Sequence, residues 1–150
     1  MSSDSAIVDV LEEIAGQRVV PVLRTADPDD AIKTAQACAR AGMRVIELTH
    51  SIPDVGAAVR ALAEDDDLIV GVGTVVEPDQ VRANVELGAR FIVSYAFDER
   101  VVETAVGLGV AVIPGAMTAT EVDRCRQAGA SAVKLFPARM IEPSYLRDLR

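Results

Sequence analysis

Three observations predict an α/β chain of (β/α)8 TIM-barrel type, here truncated to about six strand-helix units. Short apolar runs alternate with amphipathic segments along almost the whole length. The runs are apolar on both faces, as strands of a parallel sheet covered by helices must be. Several of them also carry a polar residue on the face read as inward, Arg24, Glu47, Thr74 and Lys134, and a barrel of this type presents functional side chains at the carboxyl ends of its strands. The competing architecture, a doubly wound open sheet, normally has a glycine-rich phosphate turn after its first strand. Arg24-Thr25-Ala26-Asp27-Pro28 contains no glycine.

The elements follow in order. Ile7, Val8, Val10, Leu11 and Ile14 set the apolar stripe of a helix over residues 4–16, stopped at Gly16. Val19 to Arg24 reads as the first strand, and Asp27-Pro28 opens the next helix with an acidic N-cap and a proline in the first turn. The pattern then recurs: strand Met43 to Thr49, helix Pro53 to about Glu64, strand Leu68 to Thr74, helix Pro78 to about Leu87. It continues with strand Arg90 to Tyr95, helix Asp98 to Leu108, strand Val110 to Gly115, helix Thr118 to Ala128 and strand Ser131 to Pro137. Thr118 and Glu121 have the spacing of a capping box. Gly42, Gly88, Gly109 and Gly129 fall where helices should end, and a last helix starts at Pro143.

At 150 residues and 50% hydrophobic content the chain suffices for one core, so a single domain over residues 1–150 is expected. A net charge of −8 argues against nucleic acid or an anionic membrane surface as partner, while leaving room for a small anion in a local positive pocket. Cys38 and Cys125 lie in helical segments without metal-type spacing and are expected to be reduced, buried thiols. His50 is the only histidine, so no metal and no cofactor is expected. The N-terminus lacks the pattern of a signal peptide, and no run reaches the ~18 apolar residues of a membrane span. A soluble, cytoplasmic protein is the expectation.

The stretch Ser131 to Ala138 is the most informative, because it sets one lysine in an otherwise apolar strand. Alternation puts Ala132, Lys134 and Phe136 on one face and Val133, Leu135 and Pro137 on the other. Desolvation beside an aromatic ring would favour the free amine, the nucleophile of Schiff-base chemistry with a carbonyl substrate. An equally ordinary use of such a lysine is to protect an edge strand against aggregation. The same alternation groups Val20, Val22 and Arg24 in the first strand, Val45, Glu47 and Thr49 in the second, and Val70, Val72 and Thr74 in the third. A barrel would bring these rows to one mouth. Structural alternatives stand beside each: Arg24 as a snorkelling terminus, Thr74 as a loop cap, Glu47 as an ion-pair partner for Lys134. As a set they make coherent chemistry, in which the lysine attacks a ketone, the glutamate moves protons, and the arginine and threonine hold a carboxylate.

Six segments, Val20-Pro21-Val22-Leu23-Arg24, Val45-Ile46-Glu47-Leu48-Thr49, Gly71-Val72-Gly73-Thr74-Val75, Phe91-Ile92-Val93-Ser94, Ile113-Pro114-Gly115 and Val133-Lys134-Leu135-Phe136-Pro137, together resemble the KDPG/KHG aldolase family, the bacterial class I 2-keto-3-deoxy-6-phosphogluconate aldolases. The resemblance runs in order over residues 16–150. It implies a homotrimeric (β/α)8 barrel that cleaves a phosphorylated keto-deoxy sugar acid to pyruvate and glyceraldehyde 3-phosphate. It implies Lys134 as the Schiff-base lysine and Glu47 as the general base. Arg24 and Thr74 would lie near the pyruvate carboxylate, and Phe136 beside the lysine. Three departures accompany it: Ser51 stands where an arginine is common, Tyr95 replaces a proline at the pocket, and the family's last two strands with their glycine-rich loops have no counterpart in this chain. Three readings stay open: a piece of a longer aldolase, a chain completed by a partner, or a truncated product with little activity; a catalytically silent barrel fragment acting only in assembly is the non-enzymatic alternative. A related sugar-acid aldolase of different aldehyde specificity is the alternative within enzymes.

Overall fold

The computed structural model describes residues 3–149. Its elements, in chain order, are α1 (Ser3–Gln17), β1 (Val22–Leu23), α2 (Pro28–Arg40), β2 (Val45–Thr49), α3 (Val55–Leu62), β3 (Ile69–Gly73), α4 (Pro78–Glu86) and β4 (Phe91–Val93). There follow α5 (Glu99–Gly107), β5 (Ala111–Ile113), β6 (Gly115–Ala116), α6 (Ala119–Gln127), β7 (Lys134–Leu135), a 3-10 turn (Ala138–Met140) and α7 (Pro143–Asp148). All strand pairs are parallel, in the order β1-β2-β3-β4-β5 with β6-β7 as a second short sheet. This is the strand-helix alternation of a (β/α) barrel wall. No helix of the described residues is long and apolar enough to cross a membrane.

The first and fifth predicted strands depart from expectation. The first is paired only over Val22–Leu23, although Glu47 N–H still donates to Pro21 C=O at 2.9 Å. The predicted fifth strand breaks at Pro114, which has no N–H to donate to a ladder, and Gly115–Ala116 then pairs with β7. The ladder is nevertheless bridged there, since Lys134 N–H donates to Pro114 C=O at 2.9 Å.

Two apolar layers flank the sheet. On the outer side Leu23, Ile46, Leu48, Val70, Val72, Ile92 and Val112 pack against helix residues such as Ala31, Ala35, Val59, Val81 and Val102. On the inner side Val45, Phe91, Val93 and Ala111 pack with Val10, Ile7 and Ile14 of α1, which plugs the amino-terminal end of the strands. The inner row of β2 is therefore Val45, Glu47 and Thr49, as alternation predicts. The row of β3 is the reverse of the predicted one: Ile69 joins the inner layer, while Val70 and Val72 face the helices. Its inward positions toward the mouth are Gly71 and Gly73.

Local rules account for the connections. Asp27 accepts from Asp30 N–H at 2.8 Å with Pro28 in the first turn of α2. The expected capping box of Thr118 and Glu121 is formed at α6. The four glycines expected to end helices, Gly42, Gly88, Gly109 and Gly129, all have positive φ. Gln17, at the end of α1, ties the base of the sheet: its amide donates to Val19 and Val45 C=O at 2.7 and 2.8 Å and accepts from Arg44 and Val45 N–H at 2.6 and 2.9 Å.

Candidate active site

β2 is buried over its full length, and Glu47 at its centre is only 5% exposed. What admits a carboxyl there is the backbone of β3. A side chain on Gly71 would run into the ring of Phe91, and one on Gly73 would run into the carboxyl of Glu47. The two glycines thus leave hollows that a neighbouring ring and a neighbouring carboxyl fill. Burial raises the Glu47 pKa above the ordinary carboxylate value, and the charges of Lys134 and then Arg24 work against that rise. Glu47 therefore lies within the electrostatic field of both cations. Among the described residues it is in no direct ion pair with either.

Lys134 is half-buried on β7, and its Nζ stands over the Phe136 ring at 5.4 Å from the centroid. The strand is less enclosed than its apolar sequence suggests, because β7 is an edge and Phe136 is 44% exposed. Arg24 is exposed just beyond β1, on the row of Val20 and Val22. Thr74 is half-buried and left-handed, with φ of 63°. Its expected place at the end of an inward row is corrected by the register, since Val70 and Val72 face outward. The left-handed backbone, strained for a β-branched residue, takes Thr74 out of that alternation. Its hydroxyl makes no hydrogen bond to Glu47, Lys134 or Arg24 among the described residues. Tyr95 and Phe136 line one cavity of about 390 Å³ together with Phe97, Gly115, Met117 and Arg124.

Sequence reasoning missed three supports. Gly73 is one, and the paired glycines of Gly71-Val72-Gly73 were its signal. A second is the chain in which Ser51 Oγ bonds Thr49 Oγ1 at 3.1 Å and Thr49 Oγ1 donates to Leu23 C=O at 3.0 Å, tying the ends of β1 and β2. The third is His50, whose N–H donates to Gly73 C=O at 2.7 Å and whose Nδ1 lies 3.4 Å from Asn84 Nδ2. Burial lowers the His50 pKa.

The family model for KDPG and KHG aldolase matches residues 10–144. The chain belongs to that family. It is 35% identical over 136 residues to the 2-dehydro-3-deoxy-phosphogluconate aldolase of Treponema pallidum, covering 90% of this chain and 65% of that protein. To the 2-dehydro-3-deoxy-6-phosphogalactonate aldolase of Escherichia coli it is 34% identical over 134 residues, covering 88% of this chain and 65% of that one. Among solved structures it resembles the KDPG aldolase of Legionella pneumophila, whose structure holds pyruvate captured as a covalent carbinolamine intermediate. That likeness has a TM-score of 0.80 at 27% identity, covering 87% of this chain and 64% of the other. The chain thus spans somewhat less than two thirds of the length of these relatives.

Proposed function

We propose that the chain carries the imine-forming half of a class I aldolase, cleaving 2-keto-3-deoxy-6-phosphogluconate or a close 2-keto-3-deoxy sugar acid to pyruvate and glyceraldehyde 3-phosphate. The observation that carries this reading is Glu47: a buried carboxyl within the field of two cations, one of them a lysine beside an aromatic ring. In this reading Lys134 Nζ attacks the C2 carbonyl carbon, forming a carbinolamine that loses water to give an imine. Glu47, whose pKa burial raises above the ordinary carboxylate value, passes the protons of addition and dehydration. It then accepts the C4 hydroxyl proton as the C3–C4 bond breaks, the pair of electrons moving onto the protonated imine. Arg24 pairs with the substrate carboxylate, Thr74 hydrogen-bonds it, and Phe136 packs on the lysine side.

The similarity to relatives named for gluconate and for galactonate derivatives supports the substrate class and leaves both epimers as candidates. A homotrimer in the cytoplasm, with no cofactor, completes the proposal. The test is borohydride reduction of the protein in pyruvate: a pyruvate-derived mass on Lys134, absent in Lys134→Met, is expected, and an unlabelled, folded protein would overturn the reading. Turnover of the 2-keto-3-deoxy-6-phospho derivatives of gluconate and galactonate, each against its unphosphorylated form, then assigns the aldehyde half.

A further inference from the structure

Tyr95 lies in the bend two residues beyond β4. Phe91 and Val93 belong to the inner apolar layer, and the chain leaves β4 after Val93, which places Tyr95 at the carboxyl end of that strand. It is 51% exposed, and among the described residues its hydroxyl has no hydrogen-bond partner. The cavity it lines is shared with Phe136, and Phe136 is the ring beneath Lys134 Nζ. Phe136 is thus the residue that joins the wall of this cavity to the lysine, which does not itself line it. At about 390 Å³ the cavity has room for a fragment of a few carbons. Its walls are mainly apolar, Phe97, Met117 and Pro137 among them. The Glu121 carboxylate is already engaged, taking the N–H groups of Met117 and Thr118 at 2.9 and 2.8 Å and the Thr118 hydroxyl at 2.9 Å.

We propose that Tyr95 is a specificity-determining residue, its hydroxyl reading a polar substituent at C4 of the 2-keto acid held by Lys134, with the Tyr95–Phe136 cavity as the pocket for the aldehyde-derived half. This rests on the imine-forming role of Lys134 proposed above. A phenol suits the task because its ring packs on the apolar wall while its hydroxyl supplies one donor and one acceptor.

The test reads imine formation and needs no turnover. Lys134 Nζ adds to C2 of the keto acid and water leaves. Borohydride then delivers hydride to C2 of the resulting imine, giving a secondary amine that mass spectrometry counts. Half-saturation concentrations for trapping are measured with pyruvate, 2-oxobutanoate and 4-hydroxy-2-oxobutanoate, in the wild-type chain, Tyr95→Phe and Tyr95→Ala. Because the side chain is half exposed, both variants should fold. Loss of one hydrogen bond should raise the ratio of the hydroxylated to the unhydroxylated four-carbon acid about fivefold to tenfold in Tyr95→Phe. Tyr95→Ala should raise that ratio at least as far. A ratio within about twofold of the wild type in both variants overturns the assignment to Tyr95 while leaving the lysine chemistry standing. The absence of any adduct on the wild-type chain defeats the imine reading, and this one with it.

Discussion

The carboxyl of Glu47 fills the space in which a side chain on Gly73 would stand. Glu47 is opposite Gly71 in the register, so its side chain leans one inward position toward the mouth to lie over Gly73. The relationship fixes where the carboxyl is held. Gly73→Ala sets a methyl against it, so the carboxyl must leave its present place. Overpacking of this kind costs about 1–3 kcal/mol. A lowered urea midpoint is expected, together with a loss of pyruvate trapping larger than the loss of folded protein at the assay temperature.

Burial of the same carboxyl gives a pH signature. Its native pKa lies above the ordinary value of 4.5, so between the two values the folded chain holds a proton that the unfolded chain has released. Stability from this group therefore falls as pH rises through that window and is flat beyond it. Glu47→Gln removes the dependence. The stability of Glu47→Gln relative to wild type should grow as pH rises from 4.5 and level off once the native pKa is passed, as read by urea midpoints across pH. A difference that shrinks with rising pH would mean that the two cations, rather than burial, govern Glu47.

How much of this was legible in the sequence differs from strand to strand. β2 was readable because Ile46 and Leu48 alternate with a carboxylate, which only an inward or solvent face tolerates. β3 is not legible in the same way, because its inward residues are glycines, which carry no hydrophobic signal, and alternation alone then assigns the helix-side valines to the interior row. The break at Pro114 was also readable in principle, since a proline cannot donate to a central ladder. The strand order, and with it the approach of Lys134 and Arg24 to Glu47, followed from the strand-helix alternation. The exposure of Lys134 and Phe136 did not, because it depends on what lies beside β7 rather than on the strand itself.

Gln17 was silent as a sequence feature, being a polar residue at a helix end, yet it makes four hydrogen bonds to backbone groups of Val19, Arg44 and Val45. Gln17→Ala leaves these donors and acceptors to water at a partly buried strand base. With net values near 1 kcal/mol per bond and solvent able to reach part of the site, a loss of about 2 kcal/mol is expected. Hydrogen exchange at Val45 should accelerate more than at Val72, whose ladder lies at the centre of the sheet. Equal acceleration at both would assign the effect to the whole fold.

Thr74 is the place where stability and chemistry should separate. Its φ of 63° puts a β-branched residue in the left-handed region directly after β3, next to the glycine that carries the Glu47 carboxyl. Such a conformation costs on the order of 1–3 kcal/mol and persists where the surroundings impose it. Thr74→Gly removes the clash of the branched Cβ while giving the unfolded chain more freedom, so the net gain should be about 1 kcal/mol or less. If the hydroxyl holds the keto-acid carboxylate, the more stable variant should need several-fold more pyruvate for half-maximal trapping on Lys134. Thr74→Ser, which keeps the hydroxyl and loses the branch, should recover most of that affinity. Recovery by glycine and serine alike would reduce Thr74 to a turn residue and leave the carboxylate to Arg24.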